Sequence, residues 1–368
     1  MSKEWFNKQE PKNEERRENI KKLREEIQMK NKKILTVAVD AGKGYTKCVY
    51  KKIDENGNVA KKFTENIELS SVVVGQEAKS GNTTYITIDG KENKYDFNGI
   101  SKAVENSDKS KNNEEHRALM LRALFKIAQE EGITDFNVVM CISLDQYKVN
   151  KNIEDMKKTM SIGTFTIREI VRNKKTKEDE ELSLDITIHN VVINPETLGG
   201  IRYIQKSNPK ETATILVDIG TLNVGIVPIP EGRVDIDGIT APRIGYHHMI
   251  EKFKEYVDSE KSTEYPIKML DYYVRKEQGS DKELDELLLG FFKNSYSLEL
   301  KEEINKKGFG KFATLVFLGG TSIDCTKQIE DSFTEYKSVE VMKDIFATVK
   351  GAYIKGAKEL EKIKKENN

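Results

Sequence analysis

Cysteine is scarce in this chain of 368 residues: Cys48, Cys141 and Cys325 stand far apart and without metal-ligand spacing. That excludes a disulfide framework or a cysteine zinc site and suits a reducing compartment. Long apolar runs are missing as well, so nothing reads as a signal peptide or a bilayer-spanning helix. Neither sign of charge is in excess, since Lys plus Arg and Asp plus Glu each number 61. A protein that grips nucleic acid directly carries a basic surplus, so direct DNA binding has no support here, and neither does a membrane. The expectation is a soluble cytoplasmic protein, with two lobes because its length exceeds one ordinary core.

Residues 1–33 are charged, with Ile20, Leu23 and Ile27 at helical spacing. This extension reads as a solvated or disordered leader, with a partner-binding helix as the alternative. A first lobe is expected over 34–206. It opens with a β-meander of strands at Leu35 to Val39, Thr46 to Tyr50 and Lys62 to Leu69. A polar insert at about 70–113 carries short strands near Tyr85 and Lys94. A helix from Glu114 to Glu131 stops at Gly132, and a buried strand runs from Asn137 to Ile142. A helix is expected over Asn152 to Met160 and a charged hairpin tip over Asn173 to Glu181. The second lobe, 207–368, repeats strand, Asp-Gly turn and strand over Thr212 to Val227. An insert of helices follows at about 243–308, then a strand at Ala313 to Leu318. A closing helical pattern from Val339 to Lys365 is expected to return to the first lobe.

The chemistry concentrates in two hairpins, ILTVAVDAGKGYTK and ATILVDIGTLNVG. Each ends a β-branched run in an Asp, Asp40 or Asp218, just before a glycine turn. Turns of this kind bring backbone N–H groups close to an anion. The candidate phosphate-contacting residues are Gly42, Lys43, Gly44, Tyr45 and Lys47 on one side and Gly220, Thr221, Leu222 and Asn223 on the other. Asp40 and Asp218 are candidate ligands of a magnesium ion, held through its waters because magnesium dehydrates reluctantly. Lys47, seven residues after Asp40, is placed to reach a β- or γ-phosphate; taken alone it reads equally well as a solvated strand lysine. Between the hairpins, Glu196 in NPETLGG is a candidate for orienting an attacking water, against an ordinary carboxylate at a helix start. Behind them, Gly319, Gly320 and Thr321 form a strand-to-helix turn open to a ribose or a flat base.

Other residues read as structure. His247 and His248 point in different directions on a helix, which disfavours a metal pair. Tyr272, Tyr273, Phe291 and Phe292 fit helix packing. Ile345, Val349, Tyr353 and Leu360 fit a core stripe on the last helix.

In order and character, DAGKGYTK, NPETLGG, DIGTLNVG and GGTS resemble the motifs of the actin-like ATPases, and among them the bacterial plasmid-segregating ParM type, over about residues 34–330. ISLDQYKVNKN and GTFTIREI resemble further ParM-type segments. The resemblance implies an α/β fold of two RNase H-like lobes, each with an inserted subdomain, and ATP or ADP with Mg2+ between them, GTP being the alternative nucleotide. It implies Glu196, Asp218 and Asp40 as the catalytic set. It also implies head-to-tail filaments of the chain with itself, disassembly after hydrolysis, and a DNA-bound adapter of the ParR type at filament ends. The chain departs from the family at Thr221-Leu222-Asn223 and Gly225, where a Gly-Thr-Thr run is common. The alternative function is a sugar- or acetate-type kinase of the same superfamily, which needs a catalytic Asp and a polar substrate loop in the first lobe.

Overall fold

The computed structural model describes residues 33–366 except 43, 71–72, 75–81, 89, 98–111, 161, 173–178 and 205–212. The leader stripe, Lys43 and most of the charged hairpin tip therefore lie outside the described residues.

The first sheet has nine strands in the order β3-β2-β1-β7-β9-β8-β5-β6-β4. These are β1 (Ile34–Ala41), β2 (Tyr45–Tyr50), β3 (Thr64–Leu69), β4 (Val73–Val74), β5 (Asn82–Ile88), β6 (Lys91–Asp96), β7 (Asp135–Ile142), β8 (Gly163–Arg172) and β9 (Asp179–Pro195). β1, β2 and β3 form the expected antiparallel meander, and β7 and β9 then add in parallel. The short strands of the polar insert do not make a sheet of their own. β5 pairs with β8, so they extend the main sheet at its far edge.

The second sheet, β11-β10-β12-β13, repeats this plan with fewer strands. It comprises β10 (Thr214–Ile219), β11 (Val224–Ile229), β12 (Thr314–Leu318) and β13 (Ser338–Val341). Its counterpart of the third meander strand is reduced to a single bridge, Ile226 to Thr240. β13 corrects the closing helical pattern: Val339 lies in a strand parallel to β12, and the helix begins only at Ala347. Alternating Val339 and Val341 suit a pleated edge, a period that a helix window averages away.

The helices are α1 (Glu114–Glu131), α2 (Leu144–Tyr147), α3 (Asn150–Thr159), α4 (Leu198–Ile204), α5 (Tyr246–Lys261), α6 (Ile267–Tyr272), α7 (Lys282–Phe291), α8 (Ser297–Asn305), α9 (Gly320–Asp324), α10 (Thr326–Ser332) and α11 (Ala347–Glu366). α1 covers the expected residues and stops at Gly132 as expected, and the structure adds an N-cap at Asn113. Asn113 Oδ1 accepts from the His116 N–H, and Gly132 closes the helix in the left-handed region at φ 65°. It is anchored by Arg122, which donates to Glu68, Thr84 and Glu169 at 3.0–3.3 Å. The second-lobe insert is less regular than its periodicity suggests. π-helical turns at Tyr273–Glu277 and Phe292–Tyr296 follow α6 and α7, and the second runs on into α8. Tyr273, Phe291 and Phe292 are buried as expected, whereas Tyr272 faces solvent at 58% exposure.

β1 is buried on both faces, as a central strand covered by helices on either side must be. Val37 and Val39 join the α1 core, while Ala38 joins a separate core with Val349, Ala352 and Leu360 of α11. The last helix thus packs on the first sheet although it follows the second. α4 makes the reverse move: it follows β9, yet Ile201 packs with Leu216, Val316 and Leu318 of the second sheet. The two crossing helices meet backbone to backbone, because a Cβ on Gly351 would fall onto the Gly199 carbonyl.

Candidate functional site

Both Asp-Gly turns open onto one cleft of about 410 Å³. Its walls include Asp40, Gly42, Gly44, Tyr45 and Lys47 from the β1–β2 turn, and Asp218, Gly220, Thr221, Leu222 and Asn223 from the β10–β11 turn. Glu196 lines it between them, and Gly319, Gly320 and Thr321 line it behind the second turn. Every candidate residue read from sequence, apart from Lys43, is therefore brought to one place.

The local reason is the strand ladder. Asp40, next to last in β1, stands directly across from Lys47 on β2, and Asp218, next to last in β10, stands directly across from Gly225 on β11. The turns themselves nearly touch, since a Cβ on Gly44 would lie 2.9 Å from Thr221 Oγ1. Not every amide expected at an anion is available to one. The Gly42 N–H donates to the Tyr45 carbonyl at 3.1 Å, and the Gly220 N–H to the Asn223 carbonyl at 3.0 Å, so each closes its own turn. The second turn is further seated on the start of α5, where the N–H groups of Tyr246 and His247 donate to the Gly220 and Thr221 carbonyls at 2.9 Å each.

Glu196 does not take the helix-start position of its alternative reading. It precedes α4 rather than occupying its first turn, and its N–H donates to the Ile142 carbonyl at 2.7 Å. Thr197, at φ 58°, separates it from the helix.

Asp218 is half-buried, and desolvation pushes its carboxyl pKa up. Lys47 works against that shift and the nearby Asp40 adds to it, while hydrogen bonds from Thr197 and Thr348 favour the charged form. A cation beside the two carboxylates would relieve both the burial and their mutual repulsion. Among the described residues no cluster of three or more His, Cys, Asp or Glu forms a closed metal cage. Two hard carboxylates without a cage fit a hydrated magnesium ion completed by phosphate oxygens.

Several lining residues carry no signal in the local sequence. Thr197 lies beside Glu196 in NPETLGG with nothing local to mark its hydroxyl, and Thr348 comes from the far end of the chain. Arg275, Lys276 and Asp324 line the wall beyond Gly320. Arg275 stacks 4.0 Å over the Tyr246 ring and pairs with Asp271 at 2.9 Å. The two histidines are no metal pair: His248 contacts Glu299 at 2.7 Å, and the adjacent His247 is exposed.

Residues 38–199 match the family model described as actin like proteins N terminal domain. Solved structures superpose on nearly the whole chain. An archaeal actin homolog, Ta0583, aligns with TM-score 0.64 and 17% identity, covering 88% of this chain and 100% of its own. The fold is actin-like. A 15-stranded ParM filament from Clostridium botulinum aligns to the actin-like chain with TM-score 0.63 and 15% identity, covering 88% of it and 99% of the ParM chain. Bacillus thuringiensis ParM with AMPPNP aligns with TM-score 0.60 and 13% identity, covering 89% and 100%. No curated protein matches the sequence. No helix among the described residues is long and apolar enough to cross a membrane.

Proposed function

We propose that this actin-like chain binds and hydrolyses ATP in the cleft and assembles head to tail into filaments that segregate plasmid DNA in the bacterial cytoplasm. The observation that carries the reading is the facing pair of turns, with Gly44 against Thr221 and with Asp40, Glu196 and Asp218 on the walls between them. A pair of this kind suits a polyphosphate gripped from both lobes. The ADP complex of the archaeal homolog and the AMPPNP complex of a ParM support a nucleotide here, and the ParM filament supports self-assembly.

In this reading the two turns hold the terminal phosphates, and Lys47 neutralises part of their charge. Asp40 and Asp218 would hold a hydrated Mg2+, which would neutralise phosphate charge. Glu196 orients the attacking water and accepts its proton. Loss of the γ-phosphate removes the group that bridged the two turns, and the filament loses the subunit shape that built it. With 61 basic and 61 acidic residues the chain has no surplus for DNA, so the plasmid is reached through an adapter of the ParR type at filament ends.

Negative-stain microscopy of the purified chain tests the proposal. Filaments are expected with ATP and Mg2+ and should disappear as phosphate is released; soluble particles under all nucleotides, with phosphate transferred to a small molecule, would favour a kinase instead.

A further inference from the structure

The two Asp-Gly hairpins differ at the ladder position across from the Asp, and the space this leaves is filled from outside the second hairpin. Across from Asp40 stands Lys47; across from Asp218 stands Gly225. A side chain at 225 would collide with Thr197 Oγ1. The vacated space therefore belongs to Thr197, whose hydroxyl donates to Asp218 Oδ2 at 3.2 Å. Thr197 is only 2% exposed and holds φ at 58°, a conformation that a β-branched residue adopts only where its surroundings impose it.

A second hydroxyl converges on the same oxygen. Thr348 Oγ1 lies 3.5 Å from Asp218 Oδ2. Thr197 is the last residue before α4, and Thr348 is the second residue of α11. These are the two helices that exchange lobes, so each chain crossing begins with a hydroxyl aimed at one carboxylate oxygen. The other oxygen, Oδ1, faces the Gly319 turn on the cleft wall, where a Cβ would come within 2.7 Å of it.

We infer that Thr197 is a positioning residue: held by its strained backbone, its hydroxyl fixes the Asp218 carboxylate and, with Thr348, ties both crossings to it, so that occupation of the cleft beside Asp218 is transmitted to the two crossing helices. The inference rests on the cleft being the nucleotide site proposed above. One face of the carboxylate is committed to the crossings and the other to whatever enters the cleft. A pull on Oδ1 is then felt at the start of α4 and of α11, on either side of the Gly199–Gly351 contact.

Hydrogen exchange of the full chain, measured by mass spectrometry below the concentration at which it assembles, tests this. In the wild type, ATP with Mg2+ should slow the amides of residues 347–351 about tenfold, the scale of one hydrogen bond to a charged group. Thr197→Val keeps the β-branch and loses the hydroxyl; it should still bind ATP in calorimetry yet gain little of that slowing, and Thr197→Ser should restore it. Thr348→Val, which disturbs no strained backbone, should lose part of the slowing and stands in if Thr197→Val fails to fold. Wild-type slowing in both valine variants, or a serine variant as impaired as valine, overturns the latch. A wild type that takes up no ATP overturns the nucleotide reading instead. The latch is then judged on the nucleotide-free protein, where Thr197→Val must speed exchange at 347–351 and an unchanged rate rejects it.

Discussion

The Gly199 carbonyl occupies the position a side chain on Gly351 would need, and the Thr348 carbonyl occupies that of a side chain on Gly199. α4 and α11 therefore cross at backbone contact, and no larger residue fits on either side. Because each helix packs on the sheet of the other's lobe, this contact is the natural pivot between the lobes.

Alanine at the pivot should be costly. Overpacking a tight core typically costs about 1–3 kcal/mol, and here the obstacle is a main-chain carbonyl that no rotamer change can move, so Gly351→Ala should lose about 3 kcal/mol or more. Gly320→Ala, where a Cβ meets nothing within 4 Å, is the control and should melt close to wild type. Equal melting temperatures for the two variants would refute the close crossing.

Glu196 is assigned to the water and not to the grip on nucleotide. Phosphate release by Glu196→Ala should fall by about 10²–10⁴-fold while ATP affinity in calorimetry stays near wild type. Wild-type turnover would remove Glu196 from the mechanism.

Stability of the nucleotide-free protein should carry the mark of Asp218. Burial raises its folded-state pKa, so the folded chain holds that proton more tightly than the unfolded chain does. Its contribution favours folding at low pH and is lost as pH rises through the raised value. Asp218→Asn removes the titration and keeps an acceptor for both threonine hydroxyls. The variant should therefore melt above wild type near neutral pH, and the advantage should shrink as pH falls through the raised value and be gone by about 4, the ordinary aspartate range. A gap that is constant across that range would mean that Asp218 does not titrate as its burial demands.

The anchor of α1 offers a test of the first lobe away from the cleft. Arg122 bonds Glu68, Thr84 and Glu169, and among the described residues Glu169 keeps Lys126, at 2.7 Å, once Arg122 is gone. Breaking a buried pair from one side costs about 3–5 kcal/mol, so Arg122→Met should lose stability of that order, with Lys126 moderating the loss. Arg122→Met combined with Glu169→Leu should recover much of it in chemical denaturation; additive losses would contradict the network.

Much of this molecule is written locally. Strand-Asp-Gly-strand is a short-range pattern, so both hairpins and the positions of Asp40 and Asp218 could be read from neighbouring residues, as could α1 from its apolar spacing and Gly132 stop. The repeat of that pattern, with NPETLGG between the copies, was enough to expect that residues nearly 180 positions apart meet in one cleft. At Val339 to Val341 helical periodicity misleads, because strand pairing with β12 outweighs it.

What the sequence by itself determined is the kind of site and the residues that end each strand at it, since backbone turns and β-branched runs act over a few residues. Only the tertiary structure decided which hydroxyls hold Asp218, that Gly225 exists to admit Thr197, and that Gly199 meets Gly351. Those relationships join segments about 20 to 150 residues apart through excluded volume and single hydrogen bonds, interactions that leave no period or motif in the chain.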